Sequence, residues 1–285
     1  FSQLPSISKD RILILFIKIN EVGMKKVRFL LKCFLLSSFV SLIALQPKSA
    51  SAVQLINGTA TFSQAIGGGP FSPDEAVDGS FNDLDPDGGF NGWAIAQPPS
   101  FQDAVSEIAV WETATDVAAG DLDIAMHFLH FNPGHLLGRF RFSVTTDDRS
   151  TFADGLDTNG DVTANWTILD NPIVSGPTGM TFTTLADNSI LAGGTTATQG
   201  VYNLSYSTTL NNITGLRLEV LEDPSLPLSG PGLHPFNGNF VLTEMTLDST
   251  PAPNPVPEPM GILGMLVAAS FGAVIKNKRR SEVRN

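Results

Sequence analysis

The strongest constraint on the fold is the strand-and-turn texture of residues 53–250. Runs rich in Val, Ile, Thr and Phe alternate with clusters of Gly, Asn, Asp and Pro, and helical periodicity is nearly absent. This pattern is typical of an all-β sandwich or barrel. About two hundred residues suffice for one β domain with its own core, and no repeat suggests a second domain. The clearest strand candidates are 122–131, 137–146, 180–185, 200–206, 213–221 and 239–247.

The segment 139–144 shows how such a strand is recognised. Phe140 and Phe142 alternate with Arg139 and Arg141. A strand with one buried and one solvated face produces this alternation, so we expect both arginines on the solvent side.

The net charge of residues 53–250 limits the kinds of partner that this region is expected to bind. Residues 53–250 contain 24 Asp and Glu residues against four arginines and no lysine, a net charge of about −20. Such a surface would repel a phosphate backbone, so a nucleic-acid partner is not expected. The acidity is explained either by solubility outside the cell or by cation binding. The sole cysteine, Cys33, lies outside this region, which therefore has no disulfide and no thiolate metal site.

The C-terminal end has three parts in a fixed order. A Pro-rich linker at 251–259 precedes a charge-free apolar run at 260–275 and a basic tail at 276–285. Alternating prolines predict an extended spacer, and the tail would stay on the cytoplasmic side of a membrane. We therefore predict a short transmembrane helix at 260–275. A buried helix is the alternative, because sixteen residues fall short of the ~20 of a full span. The basic stop cluster consists of Lys276, Lys278, Arg279 and Arg280.

This order resembles the PEP-CTERM sorting signal of Gram-negative bacteria. The motif residues are Val256, Pro257, Glu258 and Pro259. The resemblance implies processing by the membrane protease exosortase and delivery to the cell surface or the exopolysaccharide matrix. It concerns the address of the protein and not what residues 53–250 bind.

The N-terminal end predicts a secretory signal peptide at 24–52. Met24 opens a basic segment, followed by an apolar stretch at 34–45 and a small-residue site at Ala50 to Ala52. An N-terminal membrane anchor is the alternative. Residues 1–23 are then expected to be a non-native upstream extension. Both ends together predict export through the inner membrane, with transient anchoring by the C-terminus.

Further motifs resemble the galactose-binding-like jelly rolls, the fold of discoidin-type modules and many carbohydrate-binding modules. They are Ala76-Val77-Asp78-Gly79 followed by Gly92-Trp93, the segment 135–141, and the pair 213–221 and 237–244. The resemblance implies a single jelly-roll sandwich that binds glycans or other surfaces through loops at one end. Many members of this fold hold a structural calcium ion, so the resemblance also implies that this chain can hold one.

One acidic loop has part of a calcium-loop pattern. Asp83, Asp85 and Asp87 occupy positions 1, 3 and 5, and Gly88 occupies position 6. Hard cations require several oxygen ligands on a tight turn. Ala94 at position 12 excludes an EF-hand, so we predict a looser site. A solvated loop with Asx turns is the alternative.

Two more carboxylates complete the predicted metal set. Asp78 lies just before this loop, and the resemblance implies that Glu244, on the predicted last strand, joins the calcium shell. A second acidic loop at 154–161 has a similar spacing, but Gly160 stands at position 4 and Ile168 at position 12. We interpret it as a hairpin connection rather than a cation site.

Trp93 is the predicted sugar contact, because it follows the acidic loop and an exposed indole face stacks well on a sugar ring. Burial in the core is the alternative for Trp93, Trp111 and Trp166. Zinc is not expected at His127 and His130, because residues three apart on a strand face opposite sides. One of these histidines is expected to pack among phenylalanines or to lie at the surface.

No motif of a nucleophile elbow, zinc protease or phosphate-binding loop is present, so we do not expect an enzyme. The sequence favours an exported, acidic β-sandwich that binds extracellular polysaccharide, with calcium in the Asp83–Asp87 loop. Two other classes stay open. One is a structural surface or biofilm protein without a small-ligand site, and the other is a polysaccharide-degrading enzyme.

Overall fold

Antiparallel strands account for nearly all regular structure in the part of the chain that the structure describes. A computed structural model describes residues 49–66, 69–81, 90–98, 100–101, 104–152 and 164–253. In these ranges helical structure is limited to three short 3-10 turns, Asp74–Ala76, Arg149–Thr151 and Pro227–Ser229. The strands are β1 (Ser51–Val53), β2 (Leu55–Ala60), β3 (Gln64–Ile66), β4 (Gly69–Phe71), β5 (Trp93–Ala94), β6 (Glu107–Val117), β7 (Gly120–Phe128), β8 (Arg139–Thr145), β9 (Thr167–Ile168), β10 (Ile173–Ser175), β11 (Met180–Thr184), β12 (Ile190–Gly194), β13 (Gly200–Thr208), β14 (Ile213–Val220), β15 (Val241–Leu242) and β16 (Glu244–Pro251).

Two large sheets organise these strands. The five-stranded sheet has the order β1-β16-β7-β13-β10, and the seven-stranded sheet has the order β11-β12-β8-β14-β6-β2, with β9 also paired to β8. Two small pairs, β3 with β4 and β5 with β15, lie outside them. Every pairing among these strands is antiparallel.

The inner faces of the two large sheets form one core. Phe140 and Phe142 of β8 lie 6.2 and 6.3 Å, ring to ring, from Tyr202 and Tyr206 of β13. All four side chains are buried, and the Tyr202 hydroxyl donates to the Leu137 carbonyl. A core built from two facing sheets is a β-sandwich. The predicted all-β class is therefore confirmed.

The predicted strands correspond to β7, β8, β11, β13 and β14 within a few residues, but the last prediction, 239–247, is divided in two. β15 pairs with β5, whereas β16 pairs with β7. The chain changes partner at Thr243, whose amide and hydroxyl both donate to the His127 carbonyl. This change places Glu244 directly opposite His127.

The arginines lie on the solvent side of the seven-stranded sheet, as predicted for Arg139 and Arg141. Arg139 forms an ion pair with Asp187 at 2.8 Å. Arg141 makes two hydrogen bonds of 2.9 Å to the Glu219 carboxylate. Carboxylate partners on the same outer face explain how arginine side chains stay half-buried there.

Several predictions fall outside the described residues. These are the sorting motif, the helix at 260–275, the basic tail, the second acidic loop at 154–161, most of the signal peptide, and Asp83, Asp85 and Asp87. In the ranges that the structure describes, no helix has the length and apolar character to cross a membrane. The predicted cleavage after Ala52 falls inside β1, whose residues pair with β16.

Candidate functional site

Two clusters of titratable side chains lie near the paired ends of β7 and β16. One cluster follows the 3-10 turn Asp74–Ala76 and includes Glu244, the first residue of β16. The other begins just after β7 ends at Phe128. Because β7 and β16 are hydrogen-bonded neighbours, both clusters lie toward the same end of the five-stranded sheet.

The carboxylate pair, Asp78 and Glu244, forms the first cluster. The Gly79 amide donates to Glu244 Oε2 at 3.1 Å, and the Ser80 amide donates to Asp78 Oδ1 at 2.7 Å. A side-chain hydrogen bond also joins the two carboxyl groups. Glu244 is only 3% exposed, so water solvates its charge poorly.

Burial is the main reason that the pKa of Glu244 is raised to about 8. The Gly79 hydrogen bond lowers the pKa, while the charge and the hydrogen bond of Asp78 raise it. Two neighbouring carboxyl groups cannot both ionise without a compensating positive charge, which a shared proton or a bound cation supplies. The pair therefore places two carboxyl groups side by side, with Glu244 buried.

Asp78 and Glu244 thus lie close to each other, whereas the other predicted ligands are outside the described residues, and a metal role for all five stays a prediction. No cluster of three or more metal-ligating side chains occurs among the described residues. Calcium takes six to eight oxygen ligands. A complete calcium shell would therefore need oxygens beyond this pair.

The second cluster is a continuous series of five rings, which we call the aromatic row: Phe131, His130, His135, His234 and Phe236. Successive centroids lie 4.7, 5.0, 3.8 and 5.7 Å apart. The three histidines are buried, whereas the phenylalanines at the two ends are 69% and 78% exposed. The two exposed phenylalanine rings therefore lie outside the core, and the buried histidine rings connect them.

Hydrogen bonds fix the two loops that carry the row. The Gln199 side chain donates to the carbonyls of Leu129 and His130, both at 2.8 Å. The Leu233 and Val241 amides donate to the carbonyls of Leu136 and His135. These bonds hold the loop after β7 against the loop before β15, so rings far apart in sequence meet.

His135 and His234, the histidine stack, are parallel within 15° at a centroid distance of 3.8 Å. Nδ1 of His135 lies 2.9 Å from the Asn132 carbonyl, which can only accept. Nδ1 of His234 lies 2.7 Å from Oδ1 of Asn237, an oxygen that also accepts from the Asn239 amide. Both Nδ1 atoms must therefore carry the proton, which leaves both Nε2 atoms as acceptors in the neutral rings.

Burial lowers the pKa of His135 to about 4. The hydrogen bond to Asn132 raises it, and the neighbouring His234 and His130 lower it further. His135 is therefore neutral at physiological pH, and its Nε2 can accept a hydrogen bond from a ligand.

Trp93 does not provide the sugar contact that the sequence predicts. It is 0% exposed, its Nε1 donates to the Phe62 carbonyl at 3.0 Å, and its ring packs edge-on against Phe240. The backbone at Gly92 has φ +96° and passes close to β15, because a Cβ at this position would lie 2.3 Å from the Leu242 carbonyl oxygen. This close approach places the neighbouring Trp93 side chain in the core. Its role is in the core.

The other expected aromatic and histidine positions divide between core and surface. Trp111 is buried, with Nε1 donating to the Pro73 carbonyl, and Trp166 is half-buried over Arg217. His127 contacts Phe81 at the outer face, whereas His130 packs against the Phe71 and Phe131 rings.

Sequence reasoning missed both exposed rings, Phe131 and Phe236, as well as His234. The available signal was a phenylalanine beside Asn, Pro and Gly in two separate loops, since an apolar ring in such a loop lacks a strand to bury it.

Comparison with known proteins gave structural neighbours only. No family model matches the sequence, and no curated protein matches it. The family 32 carbohydrate-binding module of Clostridium perfringens NanJ, solved with galactose, has a TM-score of 0.40 and 9% identity, over 70% of this chain and 100% of its own. A second C. perfringens CBM32 module, solved with GalNAc-β-1,3-galactose, gives 0.38 and 11%, over 69% and 99% of the two chains. A third, from a family 31 glycoside hydrolase of C. perfringens, gives 0.37 and 14%, over 69% and 90%. The solved structures similar to this chain are thus family 32 carbohydrate-binding modules.

Proposed function

We propose that this chain is a carbohydrate-binding β-sandwich that holds a sugar against the aromatic row. The observation that carries the proposal is the exposure of Phe131 and Phe236 at the two ends of a buried histidine series. The C–H face of a pyranose ring is apolar and matches an exposed aromatic face. Rigid rings also lose little conformational entropy when they bind a ligand.

The histidine stack supplies the polar half of such a site. The Nε2 atoms of His135 and His234 have no hydrogen-bond partner among the described residues, and both are acceptors in the neutral rings. Sugar hydroxyls are donors of matching polarity. Apolar rings together with a few polar groups of fixed orientation are typical of a small-ligand site.

Calcium is the proposed cofactor of the neighbouring carboxylate pair. Its proposed ligands are Asp78 and Glu244, with Asp83, Asp85 and Asp87 from the acidic loop. The raised pKa of Glu244 supports this assignment, because it indicates that the pair requires a positive charge. The bound ion would supply that charge and would stabilise the loop that follows Phe81.

A glycosidase role for this carboxylate pair is disfavoured by its geometry. The two carboxyl groups share a hydrogen bond, whereas retaining and inverting glycosidases separate theirs by ~5 to 9.5 Å. Glu244 is also too buried to reach a glycosidic bond. The proposed function is therefore binding without catalysis.

For the localisation of the protein, we propose export and sorting by an exosortase. We propose the organism's own exopolysaccharide as the ligand. The support lies in the sequence alone, in the signal-peptide pattern at 24–52 and the three-part C-terminus. Mass spectrometry of the protein recovered from the cell surface should show a new C-terminus near Pro259. Recovery of the protein from the cytosol with residue 285 in place would contradict the proposed localisation.

A glycan array probed with the full chain in calcium tests the ligand class. We expect saturable binding to a restricted set of neutral glycans, with galactose and GalNAc-β-1,3-galactose as the first soluble probes. Binding to no glycan, together with concentration-dependent self-association in sedimentation, would instead support the structural surface protein.

A further inference from the structure

The histidine stack is the only direct ring contact that joins the two loops of the aromatic row among the described residues. His135 belongs to the loop that carries Phe131, and His234 belongs to the loop that carries Phe236. Each ring is anchored to its own loop through Nδ1, by Asn132 and Asn237 respectively. The 3.8 Å contact between the rings therefore adds a side-chain contact to the backbone hydrogen bonds from Leu233 to Leu136 and from Val241 to His135 that join the same loops.

Protonation acts directly on this contact. Because Nδ1 already carries a proton in both rings, an added proton must go to Nε2, and the ring then becomes a cation. Two such cations 3.8 Å apart in a buried position repel each other strongly. The third ring of the row, His130, lies 5.0 Å from His135 and also disfavours a positive charge there.

No opposite charge compensates the stack within the described part of the chain. Neither His135 nor His234 forms an ion pair there, and the groups that act on His135 are Asn132, His130 and His234. The contacts from the neighbouring elements are neutral, namely the Val241 amide at the His135 carbonyl and the Phe236 ring at His234. The low pKa of His135 agrees with this environment.

We propose that the histidine stack is a pH-sensitive latch, which holds the Phe131 and Phe236 loops together when its rings are neutral and releases them in acid. The effect of the latch on sugar binding rests on the proposed function. The opening of the loops in acid does not depend on that function. A protein of this kind would bind at neutral pH and release its ligand as the surroundings acidify.

Hydrogen exchange of the full chain, without any sugar, tests the latch. After correction for intrinsic rates, we expect residues 129–136 and 232–240 to lose protection by tenfold or more between pH 7 and about pH 4.5. Strands β7 and β13 should keep their protection. The His135→Phe variant retains a stacked ring without a charge, so its loss should shrink to about threefold or less. The control His127→Gln removes a histidine outside the row and should behave as the wild type does.

An NMR titration of the wild-type histidine ring signals provides a second test that needs no variant. We expect His135 to titrate well below its ordinary value, with a shift in the His234 signals over the same range. A His135 midpoint near 6.5, or equal loss of protection in loops and strands, would overturn the proposal. Acid opening in a protein that binds no sugar would support the latch and remove only the sugar site.

Discussion

The carboxylate pair and the histidine stack are both pairs of like titratable groups, but they respond to charge in opposite ways. Asp78 and Glu244 are neighbouring carboxyl groups, and the pKa of Glu244 is raised to about 8. His135 and His234 share a stacking contact, and the pKa of His135 is lowered to about 4. Burial is the largest cause of both shifts, because it disfavours whichever form is charged.

The two pairs differ in how they respond to an added positive charge. The carboxylate pair would gain from a nearby positive charge, because that charge would offset the repulsion between two ionised carboxyl groups. The histidine stack becomes positive itself and faces only neutral groups and another histidine. This end of the sandwich is therefore expected to be most ordered with a cation at one cluster and no added proton at the other.

A permanent positive charge in the histidine stack should have the largest effect on the free energy of unfolding. The His135→Arg variant places a cation that cannot lose its proton beside His234 in a buried position. We expect the free energy of unfolding to fall by about 3 to 5 kcal/mol, as for an uncompensated buried charge. Urea denaturation at pH 7 measures this change. The matched control His135→Phe keeps a flat ring without charge and should lose much less, and equal losses would show that the ring shape matters rather than its charge.

Acid should destabilise the wild type through the same residue. The folded pKa of His135, about 4, lies below its ordinary value of 6.5, so the unfolded chain binds more protons between these values. The free energy of unfolding should therefore decrease by about 2 to 3 kcal/mol as the pH falls from 6.5 to about 4.5. Urea denaturation at several pH values checks the slope. His135→Phe should lose this component, and an unchanged slope in the variant would assign it to other groups.

Calcium should act through the proposed site at the carboxylate pair and not through the histidine stack. At one hundred times the dissociation constant, a ligand that binds the folded state alone adds about 2.7 kcal/mol. We expect thermal melts of the wild type to shift upward with calcium and back with chelator. The Glu244→Gln variant keeps an acceptor for the Gly79 amide and should be at least as stable without calcium, but it should show no calcium shift. A full shift in this variant would place the ion elsewhere.

The strands could be predicted from sequence because their signal is local. In β8, Phe140 and Phe142 alternate with Arg139 and Arg141, and this alternation alone states which side faces the core. The meeting of Asp78 with Glu244 was predictable through the resemblance to jelly-roll modules, since it depends on where the last strand runs.

The proposed binding surface was not predictable in the same way. Trp93 lies beside an acidic loop in the sequence, yet its two-residue strand pairs with β15 and directs the indole into the core. Phe131, His135, His234 and Phe236 come from two loops that meet only after the sheets have formed. No local pattern encodes a contact between residues a hundred positions apart, so only the folded chain reveals the aromatic row.

Calorimetry of the full chain with the best glycan from the array tests the central claim most directly. We expect Phe131→Ala and Phe236→Ala each to weaken binding by about tenfold, or ~1.4 kcal/mol, because a stacking face is lost. Their stability should change by less than about 0.5 kcal/mol, since both rings are exposed. Ile173→Ala, which removes an equally exposed apolar side chain on β10, should bind as the wild type does. Unchanged affinity in both phenylalanine variants would contradict a sugar site on the aromatic row.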